Sequence, residues 1–359
     1  MSDGDAPPSP ASLAGSPHEH VTGPNTDAPM TASRLSLSIA LSNNPNTRPI
    51  LDGRVQAQGI TLMPTAVHPS EMFWRQLRFG EFDVSEMSMS SLIISTARGP
   101  TPWVALPVFT TREFFHTRIL VRLDAGIDTP ADLKGKRVGV PEYQQTAAIW
   151  GRGVLQHEFG VHARDIAWFM ERNPDKSHGG ATGFVAPAGV TVNQIPPTSS
   201  IGEMLVRGEL DATLLYLTDA NLVDRSRVDV SKVTRPLFDR EAEGRRYFAK
   251  TGLYQINHGV VVRRTLVEQH PWIALNLYAA FTAAKAELTR QAEDKLKPYL
   301  ACGVIGDEVR QALARDPMGY GIKAARPVLE TIADYVFEQG LSERRVRLDE
   351  LFAPSTMDL

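Results

Sequence analysis

Gln76-Leu-Arg-Phe-Gly-Glu-Phe-Asp-Val-Ser85 and Met204-Leu-Val-Arg-Gly-Glu-Leu-Asp-Ala-Thr213 are two versions of one construction. In each, a helix-like stretch stops at a glycine, an acidic residue follows, and a short apolar run opens at an aspartate. Glycine ends helices because it adopts the left-handed conformation without penalty, so both segments read as helix, turn and strand. Junctions of this kind are common in α/β proteins. Their likeness over so long a separation nevertheless implies two lobes of related construction.

A further unit supports this reading. Thr129-Pro-Ala-Asp-Leu-Lys-Gly-Lys-Arg-Val-Gly-Val140 reads as a short capped helix, a turn and a buried strand. Pro141-Glu-Tyr-Gln-Gln-Thr-Ala-Ala-Ile-Trp150 then opens a helix running to about Phe159. A strand tip feeding a helix start presents several backbone N–H groups to an anion, which is the chemistry of carboxylate capture. Outward from these units, Leu35 to Leu41 alternates like a strand and is broken at Asn43 to Asn46, placing Thr47 and Arg48 at its tip. Ile60 to Met63 and Phe82 to Val84 read as strands, with a helix from Ser70 to Phe79 between them and Ser85 to Ser91 suited to a helix start. Ser177 to Val190, with four glycines, reads as a surface loop. Thr191 to Ile195, Ala212 to Tyr216 and His258 to Arg263 read as strands, and Ile201 to Arg207 and Ala324 to Gly340 as helices.

The chain has 359 residues, a size for two lobes, with 42% hydrophobic and 22% charged residues and a net charge of -3. That is ordinary for a soluble globular protein. No basic stripe or zinc-finger spacing points to nucleic acid, and no stretch reaches the roughly twenty apolar residues that span a bilayer. The one cysteine, Cys302, has no intrachain partner, which fits a reducing compartment. Residues 1–33 are rich in Pro, Ser, Gly, Ala and Asp without an apolar leader core, so they read as a disordered tail and the protein as cytoplasmic.

Phe82-Asp-Val-Ser-Glu-Met-Ser-Met-Ser-Ser91, Lys136-Arg-Val-Gly-Val-Pro-Glu-Tyr-Gln144 with Thr146-Ala147, and His258-Gly-Val-Val-Val-Arg-Arg264 with His270-Pro-Trp272 resemble the 4,5-dihydroxyphthalate decarboxylase family. The Asp-Leu-Lys-Gly-Lys-Arg-Val-Gly-Val run is similar to the wider type II periplasmic binding proteins. The resemblance implies a two-lobed type II periplasmic-binding-protein-like α/β fold with a ligand cleft: lobe 1 over 34–122, lobe 2 over 123–250, and a return with C-terminal helices over 251–359. It implies a cofactor-independent carboxy-lyase acting on a hydroxylated aromatic carboxylate in aromatic degradation. Where the family carries Arg-His-Ser, this chain has Phe115-His116-Thr117, and its first turn keeps only Thr47-Arg48. Fewer cations suggest a substrate with less negative charge.

Losing CO2 from a hydroxylated ring needs a carboxylate clamp, an electron sink in the ring, and a proton for the ring carbon. Arg48 is the candidate clamp, since a guanidinium fork matches a carboxylate, although a surface ion pair is the competing reading. Thr47, Ser88, Ser90, Tyr143, Gln144, Thr146 and Trp150 are candidate substrate-binding residues, with ordinary capping and packing as their alternatives. His116 and His258 are candidate proton-transfer residues because imidazole titrates near neutrality, and Glu86 and Glu142 join them if burial raises their pKa values. No metal motif is present. The partner expected is a small aromatic carboxylate, with no nucleic acid and no membrane, and the Ala-rich helix from Ala274 to Ala286 is a candidate surface for a homo-oligomer. The competing function is a non-catalytic solute-binding protein or sensor.

Overall fold

A computed structural model describes residues 34–359; the expected N-terminal tail lies outside the described residues. The first sheet contains β1 (Leu35–Leu41), β2 (Ile60–Ala66), β3 (Val84–Ser88), β4 (Trp103–Arg112) and β11 (Ile256–Arg263), in the order β2-β1-β3-β11-β4. The second contains β5 (Ile119–Arg122), β6 (Arg137–Val140), β7 (Ala167–Met170), β8 (Thr191–Gln194), β9 (Ala212–Leu214) and β10 (Thr234–Pro236), in the order β10-β5-β9-β6-β7-β8. Both are mixed: β1 is parallel to β2 and β3, and β6 is parallel to β7 and β9, while β11 runs antiparallel to β3 and β4.

Helices α1 (Arg48–Leu51), α2 (Pro69–Phe79) and α3 (Met89–Ala97) belong to the first sheet's half of the chain. Then follow α4 (Thr146–Phe159), α5 (His178–Thr182), α6 (Ile201–Arg207) and α7 (Arg240–Thr251). After β11 come α8 (Arg264–Gln269), α9 (Trp272–Ala301), α10 (Glu308–Ala314), α11 (Ile322–Glu338) and α12 (Leu348–Leu351). Among the described residues no helix is long and apolar enough to cross a membrane.

The repeated junctions do the same work in both halves. Gly80 ends α2 and Gly208 ends α6, each left-handed. The aspartate that follows holds the neighbouring parallel strand, in mid-strand in the first half and at the strand's first residue in the second: Asp83 accepts from the Ser38 N–H at 2.9 Å and Asp211 from the Arg137 N–H at 2.8 Å.

The chain crosses from the first sheet to the second after β4 and returns before β11, and the two crossings run side by side. Glu113 N–H donates to the Gln255 carbonyl at 3.1 Å, and Phe115 N–H donates to the Gln255 side-chain oxygen at 2.7 Å. Behind the cleft one apolar core is continuous between the sheets, joining Met87 and Leu92 to Val140 and Trp150 and to Ile332 and Val336 of α11. Helix α11 packs on both α3 and α4 and so braces the two halves together.

Several expectations need correction. Ser85 to Ser88 belong to β3, and the helix starts only at Met89, because the segment is wholly buried and hydrogen-bonded between β1 and β11. The glycine-rich loop is not all at the surface: Ser177, His178 and Gly179 are buried at the start of α5. Arg48 starts a one-turn helix rather than ending a strand, since Thr47 folds the Asn-rich turn back by bonding the carbonyls of Ser42 and Asn44. Of the small residues on α9, Ala274, Ala280 and Ala284 are buried in the first sheet's own core, while Ala279, Ala283 and Ala286 are exposed.

Candidate active site between the two sheets

A cavity of about 180 Å³ opens between the sheets, lined from the first by His68, Ser70, Phe73, Ser88, Asn257 and His258 and from the second by Gln145, Thr146, Arg172, His178 and Leu215. The crossing segment adds Glu113, Phe115 and Arg118.

Its floor is a hydroxyl cluster contributed by both halves. Ser88 and Thr146 share a hydrogen bond at 2.8 Å, and Thr146 Oγ1 accepts from the Ser90 N–H at 2.9 Å. Ser90 donates to the Gln144 carbonyl at 2.7 Å. Thr146 is also the first residue of α4, whose opening N–H groups have no acceptor within the helix and whose dipole is positive at this end. Gln145, beside them, keeps a buried amide oxygen without a hydrogen-bond partner. The site therefore holds unused donors for a carboxylate and an unused acceptor for a hydroxyl.

The wall opposite is ionic and wholly buried. Arg172 donates to Asp224 at 2.7 Å, to Glu142 at 3.2 Å and to Ser70 Oγ at 2.6 Å. Burial opposes the Asp224 charge, but Arg172 outweighs it and holds that carboxyl at about 2. Burial likewise opposes the Arg172 charge, yet Asp224 and Glu142 raise its pKa.

Three imidazoles face the cavity. Burial lowers His258 to about 3, helped by His178 and His68, and lowers His178 to about 4. Both are neutral at pH 7 and flank the Phe73 ring, with ring centroids 4.7 and 5.6 Å away. His68 is also lowered by burial, but its side chain is 26% exposed and its Nε2 lies 3.9 Å from Asp219. It is the N-cap of α2, accepting from the Ser70 N–H. A positive imidazole there is opposed by the helix dipole.

Of the residues singled out from sequence, Ser88, Thr146 and His258 line the cavity, and Ser90 and Gln144 stand one bond behind them. The others are elsewhere. Arg48 is exposed and its Nε donates to Asn43 at 3.2 Å. Thr47 locks its own turn. Glu142 caps α5 through the N–H groups of His178 at 3.0 Å and Gly179 at 2.6 Å and has no surface in the cavity. Glu86 is a fully buried residue of β3, accepting from the Ser42 N–H at 2.6 Å, and burial raises its pKa. His116 is a hinge staple: Nε2 pairs with Glu243 at 3.0 Å and Nδ1 accepts from Gln255 at 3.3 Å. Tyr143 stacks on the Arg152 guanidinium at 3.7 Å, and Trp150 donates to the Ile256 carbonyl at 2.8 Å, both in the core.

His68, Arg118, Arg172 and His178 escaped the sequence reading. His68-Pro69 carried a usable signal, a polar cap before a proline that opens a helix. Among the described residues, no three His, Cys, Asp or Glu side chains converge as metal ligands.

The chain matches no protein-family model. It is 35% identical over 329 residues to a 4,5-dihydroxyphthalate decarboxylase of Comamonas testosteroni, spanning 91% of this chain and 98% of that protein. It is 41% identical over 186 residues to one of the same name from Pseudomonas putida, spanning 52% of this chain and 72% of the relative. Among solved structures, the periplasmic aliphatic sulphonate binding protein SsuA of Escherichia coli aligns with a TM-score of 0.52 at 15% identity, over 91% of this chain and all (100%) of that one. The alkanesulfonate-binding SsuA of Xanthomonas axonopodis, bound to MOPS, aligns with a TM-score of 0.50 at 16% identity, over 90% and 97%. These structural likenesses show the two-lobed periplasmic-binding-protein fold, and the sequence likeness to the Comamonas protein, running nearly end to end, shows that the chain belongs to the 4,5-dihydroxyphthalate decarboxylase family.

Proposed function

We propose that the cavity between the sheets removes CO2 from a hydroxylated aromatic carboxylate. Family membership supports carboxy-lyase chemistry. The observation that carries the assignment of the site is the pairing, at the start of α4, of free N–H groups for a carboxylate with the unpartnered Gln145 oxygen for a ring hydroxyl. Phe73 and Leu215 supply apolar walls for the ring.

In this reading the N–H groups of Thr146 and Ala147 hold the carboxylate, and His68 gives a proton to the ring carbon that bears it. The hydroxylated ring takes up the resulting positive charge as a protonated dienone. The carbon–carbon bond then breaks, its electron pair restores the aromatic ring, and CO2 leaves. Solvent reprotonates His68, which is open to it, so one proton is consumed for each CO2 released. Removal of water from the charged groups strengthens each of these contacts.

A solute-binding role has the fold in its favour. Two-lobed binding proteins close around ligands by hinge motion, whereas here a continuous core and the α11 brace tie the halves together behind the cleft. That supports a preformed catalytic site. Purified protein incubated with a panel of hydroxybenzoates and hydroxyphthalates should release CO2 from at least one of them; tight binding without release from any of them would favour the receptor reading instead.

A further inference from the structure

Arg152, in the second turn of α4, is a buried cation whose hydrogen bonds go only to neutral oxygens. Nη2 donates to the Tyr143 carbonyl at 2.7 Å and Nε to the Gln339 side-chain oxygen at 2.9 Å, while Nη1 has no partner. Burial lowers its pKa, and among the described residues no acid offsets that. The Tyr143 ring covers it at 3.7 Å and the Trp168 ring at 5.6 Å. Burial raises the Tyr143 pKa, so this phenol is neutral and brings no counter-charge. Aromatic faces stabilise a cation without neutralising it, and a guanidinium keeps its proton in proteins. Arg172, the cation sealed in the cavity wall, shows the ordinary arrangement, with Asp224 and Glu142 against it.

The other charges around the cavity do not by themselves favour an anion. Arg172 is outweighed by its two carboxylates, which leaves the buried wall negative by one charge. Arg118 and Glu113 on the crossing segment are an opposite pair, both partly exposed. His68 is positive only while it holds its proton, which burial disfavours, and Asp219 beside it is exposed. His178 and His258 are neutral. Arg152 balances the wall. It follows Thr146 on the same helix, about 9 Å along the axis at 1.5 Å per residue. Its side chain leans back toward the helix start, as helical side chains do, and reaches the Tyr143 carbonyl in the turn that feeds α4. Across buried protein, a unit charge about 10 Å away changes the affinity of an anion on the order of tenfold.

We propose that Arg152 is a positioning residue whose unneutralised charge, acting through the buried body of α4, holds a ligand carboxylate at the opening N–H groups of that helix without touching it. The inference rests on the reading that the carboxylate sits there. The same side chain fixes the entry turn through the Tyr143 carbonyl, so it aligns the donors and supplies the field behind them.

The test measures, by calorimetry, binding of 3,4-dihydroxybenzoate and of 3,4-dihydroxybenzamide, its neutral analogue, to the wild type, Arg152→Met, Arg152→Lys and Gln339→Glu. Arg152→Met should weaken the acid about tenfold and the amide less than about threefold, whereas Arg152→Lys, which keeps the charge, should hold the acid within about threefold of the wild type. Gln339→Glu leaves the guanidinium in place and sets a carboxylate against it, giving up only the Gln339 bond to the Ile149 carbonyl. It should also weaken the acid by about fivefold or more and spare the amide, and it decides the matter if Arg152→Met fails to fold. A strut without a field would affect both ligands alike. Equal losses for acid and amide, an acid affinity indifferent to Gln339→Glu, or a wild type that does not bind the acid overturns the proposal. The expected pattern of binding with no CO2 released from any hydroxylated aromatic acid leaves it standing and sinks the decarboxylase reading instead.

Discussion

Arg172 Nη2 donates to Ser70 Oγ at 2.6 Å, joining the end of a strand in the second sheet to the first turn of α2 beside the first. The bond closes one side of the cavity, and it is made by a guanidinium whose other donors are already spent on Asp224 and Glu142.

Replacing Arg172 by methionine should therefore be severe. It leaves two buried carboxylates without a cation, a change that costs about 3–5 kcal/mol in other proteins. Urea unfolding at pH 7 should show a loss of that order. Adding Asp224→Asn to Arg172→Met should recover part of it, because one stranded charge is removed; equal stabilities of the single and double variants would show that the ion pair carries little.

His68 is expected to matter for turnover and not for folding. Asparagine caps helices well, so His68→Asn keeps an acceptor for the Ser70 N–H and should leave the unfolding midpoint nearly unchanged. It has no titrating group, and loss of a general acid lowers kcat by about 10²–10⁴-fold. The wild-type rate should fall as pH rises through the His68 pKa, which burial sets below the ordinary histidine value, and this limb should vanish in the variant. Full activity in His68→Asn would move the proton source elsewhere in the cavity.

The parts of this structure legible in the sequence are those with a local cause. Leu35–Leu41 and Ile201–Arg207 are where alternation and capping place them, and the repeated Gly-acid-x-Asp junction marks equivalent points in the two halves. The failures share a different cause. Glu142 and His116 are residue types that do chemistry, but their neighbours, the α5 N–H groups in one case and Gln255 with Glu243 in the other, come from far along the chain and turn them into fasteners. Ser177 to Val190 looked like a loop because of its glycines. Two of those glycines are instead demanded by close packing: a Cβ on Gly180 would sit 1.6 Å from the Pro174 carbonyl oxygen, and one on Gly179 would sit 2.8 Å from the Phe184 side chain.

Acid should destabilise the fold earlier than carboxylates alone predict. An unfolded histidine titrates near 6.5, while burial holds His258 at about 3 and His178 at about 4. Below pH 6.5 the unfolded chain takes up protons that the folded chain refuses, so their contribution is complete above that pH and is lost as pH falls toward 4 and 3. Asp224, held at about 2, adds to the loss at lower pH, whereas Glu86, raised by burial, works in the opposite direction. Each imidazole contributes a slope of at most about 1.4 kcal/mol per pH unit. Urea titrations at pH 7, 6 and 5 should show falling stability, with a shallower fall in His258→Gln; a flat profile over that range would mean the imidazoles are hydrated.

The brace behind the cleft can be tested where α4 and α11 come closest. A Cβ added to Gly153 would stand 2.1 Å from the Tyr335 ring. That ring cannot easily swing aside, because it stacks on His157 at 5.1 Å and meets the Trp150 edge at 5.4 Å. Gly153→Ala must then push α11 off α4, and overpacking of this kind costs about 1–3 kcal/mol or more. Tyr335→Ala is itself destabilising, since it empties a buried site. In combination the methyl has room, so Gly153→Ala made in the Tyr335→Ala background should be close to neutral and the two changes strongly non-additive. Because the same contact holds the halves in register, the single Gly153→Ala variant should also lose turnover at temperatures where it remains folded, and Tyr335→Ala should not add to that loss. Simple additivity of the two substitutions would show that α11 lies on α4 without setting its position, and the rigidity ascribed to the cleft would have to come from the crossing strands at Gln255 alone.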